Sequence, residues 1–191
     1  MSAVTHPLKD VVYTWFSERR WTEQEYLLFA NDQNALIELS DGKVVIHEMP
    51  TPQHQAVVLN IAARLREYPG GRTLVAPVPV QLWSGKMREP DVVVFKIEHL
   101  DRIGEQFAGV PDLVIEVLSP SARSIDLGDK MDEYARAGIA EYWIVEIDAK
   151  NVSVYVLREG SYQLANRYRD GEVVRSVTIA GLSLPVNEIF R

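Results

Sequence analysis

Glu116 stands in the run Leu113-Val114-Ile115-Glu116-Val117-Leu118, a lone acid in an otherwise apolar segment. A strand so uninterrupted is expected to be buried on both faces, and an unpaired carboxylate inside it would cost several kcal/mol. A cation is therefore expected to meet it. Asp91, behind Pro90, opens a second such run, Val92-Val93-Val94-Phe95. If the two runs are neighbouring strands, both acids converge on one place in a sheet, where their repulsion raises a pKa unless a metal or a lysine intervenes. Hard divalent cations suit all-oxygen sites of this kind. Lys130, two residues after Gly128 and next to Met131, borders the buried side of the helix expected there.

Each of these residues also has an ordinary reading: Asp91 as a turn cap, Glu116 as the partner of a core arginine, Lys130 as a solvated surface lysine. His54 shares a helical stripe with Val57, Val58, Ile61 and Leu65, so it is expected to point inward near the positive end of its helix. A satisfied structural histidine fits that stripe too. Glu38, between Ile37 and Leu39, reads by itself as a surface acid of a hairpin strand.

Other chemistries find no support. The chain has no cysteine, which rules out disulfides, zinc-thiolate sites and thiol nucleophiles. It has no Gly-rich phosphate loop, no His-Glu-x-x-His pair and no Gly-x-Ser-x-Gly elbow. Ser119 and Ser121 flank Pro120 after the Glu116 run and read as turn residues.

The elements that must position these groups follow from local signals. Thr22 and Glu25 have capping-box spacing and predict a helix of about two turns. Leu36–Leu39 and Val44–Glu48 flank Ser40-Asp41-Gly42-Lys43 and predict a tight hairpin. Thr51-Pro52 caps a helix that runs to about Tyr68, ahead of Gly70-Gly71. Strands are expected over Thr73–Trp83 and Asp91–Phe95, with Ser84-Gly85-Lys86 as a turn and with Pro77 and Pro79 marking an edge or bulge. Asp126 is expected to cap a helix carrying Leu127, Met131, Tyr134 and Ala135 that ends at Gly138. Tyr142–Ile147, Val152–Leu157 and short strands from Tyr162 to Leu184 precede a last helical turn near Asn187–Phe190. This order implies an α/β (α+β) core with a central mixed sheet flanked by helices, plus an N-terminal helix and hairpin. One domain is expected over residues 22–191, with residues 1–21 as an extension.

At 191 residues, with 47% apolar and 25% charged residues, the chain has a globular balance, so a disordered or fibrous class is excluded. No stretch reaches the roughly 20 apolar residues of a membrane span, so a cytoplasmic protein without membrane contact is expected. The net charge of −7 disfavours binding a polyanion with the whole surface but leaves room for a local basic groove.

Five segments recur in a familiar order: Ile37-Glu38-Leu39-Ser40-Asp41-Gly42; Pro52-Gln53-His54-Gln55; Glu89-Pro90-Asp91-Val92-Val93-Val94; Pro111-Asp112 through Glu116 to Ser119-Pro120-Ser121; and Lys130 through Tyr134 to Glu141-Tyr142-Trp143-Ile144-Val145. Together they resemble the Uma-two family, a bacterial group with the restriction-endonuclease-like PD-(D/E)XK fold, over roughly residues 22 to 190. The resemblance implies a Mg²⁺-dependent endonuclease, with Mn²⁺ as an alternative metal and DNA as the first choice of substrate. It implies Asp91 and Glu116 as metal ligands. The superfamily's usual lysine position, two residues after the second acid, holds Leu118; the resemblance gives its role to Lys130 on the next helix. Glu38 and His54 match the family's hairpin acid and helix histidine, and Asp112 and Asp126 stand as supporting acids. Lys86, Arg88, Arg123 and Arg136 are the cations expected to meet phosphate, and a homodimer is compatible with the pattern. An inactive nucleic-acid- or protein-binding module of the same fold is the alternative. A Lys130 nitrogen within about 5 Å of both carboxylates favours the enzyme, and one turned to solvent favours the module.

Overall fold

The computed structural model describes residues 19–33, 36–47, 49–118 and 128–191. Helix α1 (Glu23–Gln33) opens on a reciprocal cap, in which Glu25 N–H donates to Thr22 Oγ1 and Thr22 N–H to Glu25 Oε2. At 11 residues it runs three turns, one more than expected. Strands β1 (Ile37–Ser40) and β2 (Lys43–Ile46) form the expected hairpin. Its two turn residues, Asp41 and Gly42, both take positive φ, as a type I′ turn demands. Helix α2 (Pro52–Leu65) starts where Thr51 Oγ1 accepts from His54 N–H, with proline in the first turn, and buries His54, Val57, Val58, Ile61 and Leu65.

The expected strand over 73–83 is instead two strands in two different sheets, β3 (Gly71–Val75) and β4 (Val80–Trp83). Pro77 and Pro79 offer no N–H to a ladder, so pairing stops between them and the chain changes sheet. Strand β5 (Lys86–Arg88) pairs back on β4 and on β1, giving a small sheet of order β2-β1-β5-β4. Strands β6 (Val92–Lys96), β7 (Leu113–Leu118), β8 (Glu141–Glu146), β9 (Asn151–Arg158) and β10 (Ser161–Arg169) join β3 in a six-stranded sheet of order β10-β9-β8-β7-β6-β3. Among the described strands of this sheet only β7 and β8 run parallel, and helix α3 (Asp129–Ala137) lies on the crossover between them. The mixed sheet flanked by helices is the architecture expected.

The central strands β6 to β9 of the large sheet are buried on both faces, while the outer strands β3 and β10 are largely exposed. On one side α2 and the C-terminal helix α4 (Val186–Ile189) pack Val57, Ile61, Leu65 and Ile189 against Val92, Ile115, Val117 and Trp143. The two-stranded ribbon β11 (Val173–Arg175) and β12 (Ser183–Pro185) closes that layer with Val174 and Leu184. On the other side α3 and β4 pack Tyr134, Val80 and Leu82 against Val93, Val114, Leu118 and Ile144. A third cluster seats Trp21, Tyr26 and Leu27 on Leu39, Val44 and Met87 of the small sheet. No helix among the described residues is long and apolar enough to cross a membrane.

Candidate active site

Strands β6 and β7 are antiparallel neighbours, with Val92 opposite Ile115. Continuing that register by one residue sets Asp91 across from Glu116. Ile115 and Val117 face the α2 layer, while Val114 and Leu118 face α3. Alternation therefore turns Glu116 toward α3. There Glu116 Oε1 accepts from Lys130 Nζ at 2.8 Å and from the Tyr134 hydroxyl at 2.7 Å. Lys130 and Tyr134 sit four residues apart, one helical turn, so both reach the same oxygen. All three side chains are buried. Asp91 lies just before β6, where its Oδ2 accepts the Val117 N–H at 2.8 Å and lies 3.2 Å from His54 Nε2. The carboxylate thus takes the place of a ladder partner beyond the end of β6, with His54 reaching it from the first turn of α2. Burial works against a charge on His54, but Asp91 outweighs it and raises the imidazole above its ordinary value.

A second group of charges adjoins the first. Glu38 is buried rather than exposed, a correction to its reading as a surface strand acid. The small sheet folds its β1 face inward, and the hydrogen bonds waiting there make the burial tolerable. Glu38 pairs with Arg88 and accepts the Glu89 N–H at 3.2 Å. Its Oε2 also lies 2.7 Å from His47 Nε2. Burial opposes its ionisation, but Lys130, His47 and Arg88 overcome it and hold Glu38 well below the usual carboxylate range. His47 is raised against its own burial, chiefly by Glu38. Arg88 also reaches Glu133 of α3, with Nε and Nη2 2.7 and 2.6 Å from Oε2, and Lys86 pairs with the same carboxylate.

The structure brings Glu116, Lys130 and Glu38 into one charged cluster and sets Asp91 and His54 at its edge. Other expectations need correction. Asp112 lies four residues from Glu116, about 13 Å along β7. It accepts from Lys96 N–H and contacts His99 at the strand's other end. Lys86 and Arg88 are buried and both pair with Glu133, so their charges join the small sheet to α3. Arg136 is exposed and stacks on Trp83, its guanidinium carbon 4.3 Å from the ring centroid. Asp126, Arg123, Ser119 and Ser121 lie outside the described residues. Three neighbours escaped sequence reasoning: His47, Glu133 and Tyr134 as a hydrogen-bond donor. The spacing of Tyr134 from Lys130 could have pointed to that role; nothing local marked the other two.

Among the described residues no three histidine, aspartate or glutamate side chains converge as a metal cage. The candidate donor set is the carboxylates of Asp91 and Glu116, all-oxygen ligands without nitrogen or sulfur. That set fits a small hard dication, which keeps several waters, better than a cation needing an all-protein shell.

Fold and side chains together define an α+β protein with a carboxylate–lysine centre at the end of a mixed sheet. A family model described as "Putative restriction endonuclease" matches residues 23–187, and the chain belongs to that family, Uma2. The uncharacterized protein slr1290 of Synechocystis sp. (strain ATCC 27184 / PCC 6803 / Kazusa) is 25% identical over 173 residues, covering 88% of this chain and 90% of that protein. A crystal structure described as a putative nuclease belonging to DUF820 from Anabaena variabilis ATCC 29413 has the same fold. It superposes with a TM-score of 0.68 at 22% identity, over 89% of this chain and 97% of the other.

Proposed function

We propose that this protein is a metal-dependent endonuclease that hydrolyses phosphodiester bonds of nucleic acid, DNA in the first instance. The observation that carries the reading is that the β6–β7 register sets residue 91 across from residue 116, with Lys130 Nζ 2.8 Å from Glu116. The family description and the name of the Anabaena protein point the same way. Asp91 and Glu116 would hold Mg²⁺, or Mn²⁺ in its place, and the ion supplies Lewis acidity toward a phosphate oxygen and a more acidic bound water. Asp91 is oriented before substrate arrives, because the Val117 N–H and His54 fix its Oδ2. Lys130 donates to Glu116, and its ammonium opposes the negative charge that grows on phosphorus-bound oxygens. Tyr134 donates to the same Glu116 oxygen as Lys130 and helps hold that carboxylate in place, and Glu38 balances Lys130 from the small sheet.

The test is cleavage of plasmid, single-stranded DNA and RNA with Mg²⁺, Mn²⁺ or EDTA. We expect Mg²⁺-stimulated cutting, with Asp91→Ala and Glu116→Gln each lowering it by about 100-fold or more while circular dichroism stays native. Undiminished cutting by either variant rejects the assigned site. Binding without cutting in every metal would leave the binding-module reading in its place.

A further inference from the structure

The small sheet and α3 meet through charge. Lys86 and Arg88 on β5 are almost fully buried, and both end on Glu133. Lys86 Nζ also donates to Ser40 Oγ at 2.6 Å. Arg88 spans two acids, Glu133 on α3 and Glu38 on β1, with its planar fork. Lys130 lies close enough to Glu38 to be the strongest of the charges favouring its ionised form. Glu116, Lys130, Glu38, Arg88, Glu133 and Lys86 therefore alternate in sign, three acids with three bases. Glu133 and Lys130 are three residues apart and share a helix face, so the chain of charges leaves α3 at Glu133 and returns to it at Lys130.

The helix needs such an anchor. It has only nine residues, and its N-cap residue, Gly128, has no side chain with which to cap it. A helix this short takes its stability from tertiary contacts rather than from its own propensity.

We propose that Glu133 is a positioning residue: by gripping Arg88 and Lys86 of the small sheet, it fixes the first turns of α3 and hence the place of Lys130 Nζ at Glu116. Its kinetic consequence, but not its structural one, rests on the nuclease reading. Loss of the grip lets Lys130 leave Glu116 transiently, without disturbing the far end of the sheet. Lys96, whose Nζ lies 4.0 Å from Asp112 at that far end, is the internal control.

The experiment labels native full-length protein and Glu133→Gln with formaldehyde and borohydride, and follows methylation of each lysine by mass spectrometry. We expect labelling of Lys130 to rise about tenfold with Lys96 unchanged. In the cleavage assay we expect kcat to fall about tenfold or more with KM within about twofold, the pattern of a misplaced catalytic group. Unchanged Lys130 labelling, or an equal rise at Lys96, overturns the proposal, as does a kcat that holds in an active enzyme. A selective rise at Lys130 in a protein that cuts no nucleic acid upholds the positioning role and defeats the nuclease reading. If Glu133→Gln does not fold, Glu133→Asp, which keeps the charge one methylene short, carries the same expectations at smaller size.

Discussion

Glu89 sits two residues before Asp91 with 8% of its surface exposed, its Oε1 3.4 Å from the Tyr26 hydroxyl and its Oε2 buried without a partner. Burial, and then the charge of Glu38, push its carboxyl up to about 7. The folded state therefore holds a proton that the unfolded chain releases near the ordinary value of 4.5. Stability from this group is complete below pH 4.5 and is lost as pH rises to about 7, with a ceiling of ~3 kcal/mol. Thermal or urea unfolding should show Glu89→Gln more stable than wild type at pH 8, and the two nearly equal at pH 4.5. Equal stability at pH 8 would contradict the assignment. Residues differ in how plainly they announced themselves. Glu116 was legible because an acid inside an apolar run must be compensated. Glu38 was marked only by the family resemblance, because alternation in a hairpin does not say which face is covered, and Glu133 was not marked at all, because an acid on a short helix looks solvated until a second sheet is placed over it.

Strand β8 begins at Glu141, a fully buried acid that the sequence reading left one residue outside its strand. Its Oε1 accepts the Trp143 indole N–H, and its Oε2 accepts from Ser176 Oγ, Val177 N–H, Thr178 N–H and Thr178 Oγ1 at 2.7 to 2.9 Å. One side chain thus ties the turn between β11 and β12 to the large sheet. Glu141→Ala strands those donors, and we expect it to destabilise the protein by about 3 to 5 kcal/mol in urea unfolding. Earlier amide exchange over 176–179 would locate the damage. Elements set by local chemistry were readable: the Thr22–Glu25 cap, the Asp41-Gly42 turn, the Thr51-Pro52 start of α2 and the Gly138 end of α3. The division of residues 71–83 between two sheets was not, since Pro77 and Pro79 announce an interruption but not where the chain goes next.

For the whole molecule, a net charge of −7 combines with the burial of Lys86, Arg88 and Lys130 in ion pairs. Among the described residues few cations near the acids are left to displace counterions from nucleic acid. Each phosphate neutralised on duplex DNA contributes about −0.9 to the slope of log K against log salt. We expect a slope no steeper than about −3 in fluorescence-anisotropy titrations of an Asp91→Ala protein, equivalent to about three phosphates. A slope near −6 would mean a basic surface elsewhere. At this scale the mixed sheet was foreseeable from the order of elements, whereas the parallel pairing of β7 with β8 and the charged seam between small sheet and α3 depend on contacts distant in sequence.

The shared burial of Glu116 and Lys130 ties the fate of each to the other. Deleting one partner of such a pair costs about 3 to 5 kcal/mol, whereas exchanging both for apolar residues of similar volume is often harmless. A descendant lineage that no longer needed the chemistry would have to cross a less stable intermediate to shed the pair, so acid and base together can outlive the reaction they once served.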